Sequence, residues 1–380
     1  MKRTLLKDLV CPLSSDPLRL ESVEQDEVDT GELVCTGCAA RWPVRNGVPR
    51  LVPPDLEVQQ RRTAAAFGWQ WQHFTEMHPE FEAQFLDWLY PIGPEFFLGK
   101  RVLDAGCGIG RHAYFAAAYG ASEVAALDLS EAVETAHHNL SGLGNVHVIQ
   151  GDLLRPPFRT AAAGGGFDLV YSIGVLHHLP DPEMGFKSLL RFVRPGGTIA
   201  IWVYGYENNG FVRNVVEPVR RVSTKIPPPL VRTLAWPLAA GFHGVAKGVY
   251  RPLDGSAIGR RLPLHEYLSS VADFSFRQNY GIVFDQLAAP TATYLTTAEV
   301  ERWFQQAGLQ DIHLSHRHAN SWRARGTVPA ANGNIKRLAD LLASPVRFGP
   351  LTTESTPGSE TELSTRPRPD STPKASSASL

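Results

Sequence analysis

The sequence predicts an α/β protein: a parallel sheet with helices on both faces, preceded by a small β unit and interrupted by a helical insertion. Three observations predict it. Short apolar runs ending in an acid recur at Val102-Leu103-Asp104, Val124-Ala125-Ala126-Leu127-Asp128 and Val146-His147-Val148-Ile149-Gln150-Gly151-Asp152, and such runs bounded by turn residues read as buried strands. The stretches between them can hold a helix and a return, which gives parallel strands with right-handed crossovers. The first run leads into three glycines at alternate positions, Gly106, Gly108 and Gly110, and then into the helical stretch Arg111 to Ala117.

That first corner is the centre of the pattern. Glycines let the backbone turn sharply and approach a ligand where a helix begins. A dinucleotide loop of the form G-x-G-x-x-G, counted from Gly106, needs a glycine at position 111, where Arg111 stands. Asp128 follows Gly110 by eighteen residues, the distance of one helix and a return strand. Phe167 to Ser172 is a fourth strand, and the turn Pro195-Gly196-Gly197 feeds a fifth through Val203. A glycine corner alone would be an ordinary strand-to-helix turn; five elements in register make it a cofactor cradle.

The pattern D-x-G-x-G-x-G from Asp104 to Gly110 resembles the first motif of the class I S-adenosylmethionine (SAM) methyltransferases of the UbiE-like kind. The resemblance implies a Rossmann-like sheet of seven strands with an antiparallel hairpin at its end. It implies SAM on the loop Gly106, Cys107, Gly108 and Gly110, with Asp104 near the methionine ammonium, directly or through water. Asp128 and Leu129 are then expected at the ribose, Asp152 and the backbone of Leu153 at the adenine, and Ser172 at the end of the fourth strand. All these positions fall at strand carboxyl ends, where ligands of such sheets bind.

Residues 1–54 read as a separate small β unit. Cys11-Pro12, Cys35-Thr36-Gly37-Cys38 and Trp42-Pro43-Val44-Arg45-Asn46-Gly47-Val48-Pro49 resemble the zinc-ribbon domain known as an activator of RNA and protein methyltransferases. Ser14 stands where that pattern has its second cysteine, leaving Cys11, Cys35 and Cys38 as a vestigial zinc site. Structural zinc takes four closed ligands, and Ser14 or Asp16 is a poor fourth. The expectation is a ribbon without its metal, held by Leu20, Val34, Trp42, Val48 and Leu51 and by docking on the larger domain.

Residues 55–98 are aromatic and helical, with Phe67, Trp69, Trp71, Phe74, Phe81, Phe85 and Trp88 at spacings that place most of them on one packed face. In related methyltransferases the helices at this place close over the cofactor, which puts Trp69, Trp71 and His73 at the entrance of a lid. Residues 99–330 form the SAM-binding domain, with five strands and four helices expected over 99–205 and a helical cap inserted at 206–290. Within 211–251 seven Arg or Lys face one acid, Glu217. Thr233 to Ala246 is uncharged but is interrupted by Pro237 and falls short of the ~20 residues a membrane span needs. This segment reads as a cap packed on the sheet, or as a basic, apolar surface in peripheral contact with a membrane. Thr296 and Glu299 form a capping box for a helix ending at Gly308, and strands follow near Ile312–His316 and Trp322–Val328. Residues 349–380 are rich in Ser, Thr and Pro and predict a disordered tail.

A formal net charge of −1 gives no basic field for nucleic acid. Ser172-Ile173-Gly174-Val175 replaces the Asp/Asn-Pro-Pro-aromatic motif of amino-directed nucleic-acid methyltransferases. Charges in Met1 to Asp8 disfavour a signal peptide, and four cysteines suggest thiols in a reducing compartment, so the expectation is cytoplasmic. The methyl of SAM is already electrophilic, so catalysis is mainly positioning plus removal of a proton where the acceptor carries one. His178 and His177, after the fourth strand, are the candidate bases, with His73, His265 and Tyr280 behind them. The expected reaction is methyl transfer to an oxygen or carbon of a small or lipid-linked molecule. Ribosomal or transfer RNA methylation and non-catalytic SAM binding are the alternatives.

Overall fold

The computed structural model describes residues 1–21 and 26–330; the predicted tail at 349–380 lies outside them. Four short strands come first, β1 (Leu18–Glu21), β2 (Gly31–Cys35), β3 (Arg41–Arg45) and β4 (Val48–Leu51), then helices α1 (Val58–His73) and α2 (Glu80–Leu89). The alternating half is β5 (Arg101–Ala105), α3 (Arg111–Ala118), β6 (Glu123–Asp128), α4 (Ala132–Leu140), β7 (Val146–Gly151), β8 (Phe167–Ile173), α5 (Pro182–Leu190) and β9 (Val193–Tyr204). The insertion carries α6 (Glu217–Ser223), α7 (Pro228–Val245), α8 (His265–Val271) and α9 (Phe276–Ala288). The chain closes through α10 (Thr297–Gln306), β10 (Gln310–Arg317) and β11 (Ser321–Thr327).

All the strands join one sheet in the order β1-β2-β3-β4-β7-β6-β5-β8-β9-β11-β10. The seven from β7 to β10 are the expected core, five parallel strands followed by the antiparallel β11 and β10. Strand order reverses around β5, and the crevice beyond its carboxyl end is where a ligand of such a sheet lies. Val102, Leu103, Val124 and Leu127 are fully buried, as expected for strands covered on both faces.

Two features differ from the sequence reading. Between β7 and β8 there is no α-helix, only a 3-10 turn at Ala161–Ala163, so three α-helices rather than four stand among the five strands. Pro156-Pro157 and the run Gly164-Gly165-Gly166 cannot propagate a helix. The N-terminal unit covers this place instead. Val10 N–H donates to the Pro157 carbonyl and Arg159 N–H to that of Asp8, at 3.0 and 2.9 Å, and Leu5, Leu9 and Leu33 share one core with Leu103, Leu127 and Phe158. The unit is thus continuous with the larger sheet, β4 pairing in parallel with β7 through Arg50↔Gln150 and Leu51↔Gly151. The second difference is that α7 runs unbroken through Pro237. Pro237 lies on the solvent side, where water can take the carbonyl it frees, while Val231, Ala235 and Ala239 pack inward.

Candidate functional site

The glycine corner is held by close approach. Gly106 has φ +96°, and a Cβ there would lie 2.3 Å from Val175 Cγ2, so any other residue would both strain the backbone and displace Val175. Gly110, φ +82°, is the N-cap of α3. The Gly108 N–H donates to Asp128 Oδ2 at 2.8 Å, and the Ser130 N–H and hydroxyl donate to Asp128 Oδ1 at 2.8 and 2.7 Å, which fixes the carboxylate beside the loop. Asp152 accepts from the Leu154 N–H at 2.9 Å and from Gln60 Nε2 of α1 at 3.2 Å. Burial raises the pKa of both acids against these hydrogen bonds.

A cavity of about 750 Å³ opens from this corner and runs under the insertion. Gly106, Cys107, Gly108, Asp128, Leu129, Asp152, Leu153 and His178 line it. Asp104, Gly110, Ser172 and His177 do not. Asp104 is fully enclosed behind the loop, and neither of its oxygens makes a well-formed hydrogen bond among the described residues. Burial pushes its carboxyl up to about 8, against the pull of the adjacent Tyr171 hydroxyl and with the help of the Asp128 charge. An unbalanced buried carboxylate wants a proton or a cation. Two bonded acids with lone pairs left over, a glycine loop and a carboxylate in need of a cation together fit the ammonium, hydroxyl and adenine groups of SAM. The Ser172 hydroxyl is spent on the Ala105 carbonyl at 2.9 Å and acts as a strut beneath the loop.

The two histidines separate clearly. His177 is fully buried, stacks on Tyr204 with ring centroids 3.8 Å apart, and neither ring nitrogen has a hydrogen-bond partner among the described residues; burial holds it neutral. His178 turns to the cavity, with Nδ1 against the Thr291 carbonyl. A carbonyl only accepts, so Nδ1 carries the proton and Nε2 keeps the lone pair. Burial lowers its pKa, against the opposing pull of Asp285, leaving a neutral base at pH 7.

The stretch from His265 to Leu287, whose mix of aromatic and polar groups suits a substrate pocket, supplies part of the remaining wall, though Asp285, Gln286, Tyr204, Arg111 and Gln60 were not singled out as site residues from the sequence. Asp285 of α9 accepts from the Tyr204 hydroxyl at 3.3 Å, and Gln286 Nε2 donates to that hydroxyl at 3.2 Å. Arg111 lies among the rings of Trp71, Phe81 and Trp88 at 5.4, 4.9 and 5.5 Å, and burial lowers its pKa to about 10. Gln60 was legible in principle, since it closes a capping box with Glu57 at the start of α1. Of the expected entrance residues only Trp71 lines the cavity. Trp69 and His73 stack on each other, with Trp69 packed on Phe284 of the insertion. His265 sits 3.4 Å from Asp254, and the Tyr280 hydroxyl donates to the Arg232 carbonyl, so neither serves this site.

In the N-terminal unit the sulfurs of Cys11, Cys35 and Cys38 all lie within 4.8 Å of one another, and the Ser14 hydroxyl is 3.3 Å from Cys35 Sγ. Burial pushes the Cys35 thiol up, but hydrogen bonds from Ser14 and the backbone of Cys38 and Gly37 outweigh it and leave it at about 7. Three sulfurs this close could hold a metal ion, while Ser14 beside Cys35 remains the poor fourth ligand that the sequence offers.

Residues 102–197 match the family model for a methyltransferase domain, and residues 2–47 that for a Trm112p-like protein. Residues 102–197 are therefore a methyltransferase domain and residues 2–47 a Trm112p-like unit. An uncharacterised protein of Synechococcus sp. is 29% identical over 60% of this chain and 54% of its own length. The ubiquinone biosynthesis O-methyltransferase of Neisseria meningitidis is 35% identical over 29% of this chain and 46% of its own. Cycloartenol-C-24-methyltransferase 1 of Oryza sativa is 31% identical over 27% and 30%. The chain spans about half the length of the first curated relatives it matches.

Proposed function

We propose that the protein transfers the methyl group of SAM to an oxygen or acidic carbon of a small or lipid-linked acceptor, with His178 as the base. The observation that carries this reading is that His178, whose Nε2 lone pair is left free by the Nδ1 contact to Thr291, lines the same cavity as the glycine loop. In this reading Gly106, Cys107, Gly108 and the α3 start at Gly110 hold the methionine end, Asp104 balances its ammonium, Asp128 and Leu129 meet the ribose, and Asp152 and Leu153 the adenine. SAM supplies the electrophilic methyl. His178 takes the acceptor proton as that methyl is attacked, and Asp285 steadies the imidazolium. The relatives named for ubiquinone and cycloartenol methylation support a sparingly soluble acceptor.

Calorimetric titration with SAM tests the cofactor half. Asp128→Ala is expected to weaken binding by about tenfold or more through lost charged hydrogen bonds; unchanged affinity would remove Asp128 from the site. Radiolabelled methyl transfer into the lipid, small-molecule and RNA fractions of a cell extract tests the acceptor half. The Trm112p-like unit favours RNA as the second reading, and label in RNA with steep salt dependence would select it. Saturable SAM binding without any transfer would instead select a binding protein.

A further inference from the structure

The insertion presents an apolar outer surface that the fold leaves uncovered. Along the segment containing α6, Phe211, Val215, Val219 and Val222 recur at helical spacing, 55, 48, 49 and 63% exposed. Along α7, Leu230, Leu234, Leu238 and Val245 do the same. Each helix turns its other side to α9. Arg220 and Ser223 of α6 bond the Gln286 and Leu287 carbonyls, and Val231, Ala235 and Ala239 of α7 pack with Phe284 and Leu287. Both stripes therefore face away from the protein body. Exposed apolar stripes of this kind mark an interaction site.

The charge around the stripes selects the occupant. Lys225, Arg232 and Lys247 are exposed, and Glu217, the one acid within 211–251, is held by the buried Arg220 at 2.9 Å. Aliphatic residues flanked by unopposed cations match an anionic bilayer, whose headgroups take the cations while the stripes enter the acyl boundary. The cavity points to the same partner. Val212 and Val216 line it from the segment whose outer side carries Val215 and Val219, and Phe211 both lines it and is exposed to solvent.

We infer that the α6–α7 face of the insertion docks on an anionic lipid surface, with Phe211 of the cavity wall turned toward the bilayer. No helix among the described residues is long and apolar enough to cross a membrane, so the contact is peripheral. The docking stands on the surface itself; delivery of a lipid-linked acceptor through it rests on the methyl-transfer reading above.

The full chain is floated with unilamellar vesicles of phosphatidylcholine alone or mixed equally with phosphatidylglycerol. The expected result is flotation with the mixed vesicles, reduced by high salt and weak on phosphatidylcholine alone. Val219→Glu with Leu234→Glu should lower the bound fraction by about tenfold or more, with SAM affinity unchanged as the check on folding. Lys225→Glu with Lys247→Glu leaves the stripes intact and should abolish the preference for the anionic lipid; it decides the matter if the first variant does not fold. Failure of the wild type to float with either vesicle overturns the inference. So does a wild-type dimer in sedimentation velocity that Val219→Glu with Leu234→Glu dissociates, which would make the face a subunit interface. Flotation without SAM binding would leave the docking standing and the methyl-transfer reading fallen.

Discussion

The two walls of the cavity are built differently. On the sheet wall, Asp128 and Asp152 are pinned by backbone N–H groups within two residues of themselves or on the adjoining loop. On the insertion wall, Asp285 holds the side chain of Tyr204, and His178, the proposed base, is oriented by the carbonyl of Thr291, more than a hundred residues away. Local backbone fixes the cofactor side; long-range packing assembles the acceptor side. Damage to the first wall should therefore appear as lost cofactor affinity, and damage to the second as lost turnover at unchanged cofactor affinity.

The sharpest test of that division is His178→Gln. Removing a general base costs about 10²–10⁴ in rate, and the expected signature is that loss in kcat with the SAM dissociation constant unmoved. Burial depresses the His178 pKa below its ordinary value, so wild-type turnover should be level through neutral pH and fall only on the acid side, a limb that the variant lacks. A variant with full turnover would take the base away from His178. On the other wall, Gly106→Ala puts a Cβ 2.3 Å from Val175 Cγ2 at φ +96°. The expected loss is about 1–3 kcal/mol in denaturant unfolding, with weakened SAM binding. Adding Val175→Ala should return only part of it, because the space is relieved but the backbone angle is not.

The same asymmetry explains what the sequence could and could not reveal. Strands β5, β6 and β7 and the glycine corner were legible because each is a short apolar run whose closing acid lies within ten residues, and β8 and β9 because each carries an apolar run beside a glycine turn. The capping box at Thr296 and Glu299 was legible for the same reason, the Thr296 hydroxyl accepting from the Glu299 N–H as the spacing requires. The absent helix between β7 and β8 was signalled by Pro156-Pro157, but the body that fills its place comes from residues 1–54, which no local pattern could announce. The mix of aromatic and polar groups from His265 to Leu287 suits a pocket, but the pairing of Asp285 with Tyr204 was out of reach, since they meet only when the insertion folds back over the sheet. Between His177 and His178 no periodicity decides. Which ring faces the cavity depends on Thr291 and on the stacking surface of Tyr204.

A milder test uses pH. The Asp104 carboxyl, pushed up to about 8 by burial, is protonated at neutral pH in the free protein. Because its pKa is raised, its contribution to stability is complete below the unfolded value near ~3.9 and is lost as pH rises through about 8. A SAM ammonium balanced by Asp104 needs the proton gone. Binding should then release a proton, and affinity should fall about tenfold per pH unit below that value. Calorimetry in buffers of different ionisation heat reads the proton directly. Asp104→Asn should remove the pH dependence, and the absence of proton release in the wild type would separate Asp104 from the cofactor.

The smallest expected effect lies where the two modes of construction meet. Gln60 belongs to α1, ahead of the sheet, yet its Nε2 donates to Asp152 Oδ2 at 3.2 Å while its Oε1 accepts from the Glu57 N–H at 3.1 Å. It therefore ties the start of α1 to an acid of the cofactor wall. Gln60→Ala removes one hydrogen bond to a charged group and one arm of the cap, about 1.5–3 and about 0.5–1 kcal/mol if wholly felt. Asp152 keeps its bond from the Leu154 N–H, and water can enter beside it, so the change in SAM affinity should be only about threefold to tenfold. Gln60→Glu is the discriminating partner. It keeps the oxygen that accepts from Glu57 and sets a second carboxylate against Asp152, so it should preserve the α1 cap and weaken SAM binding more than alanine does. If the two variants bind alike, Gln60 serves the helix alone, and α1 is mechanically independent of the cofactor wall.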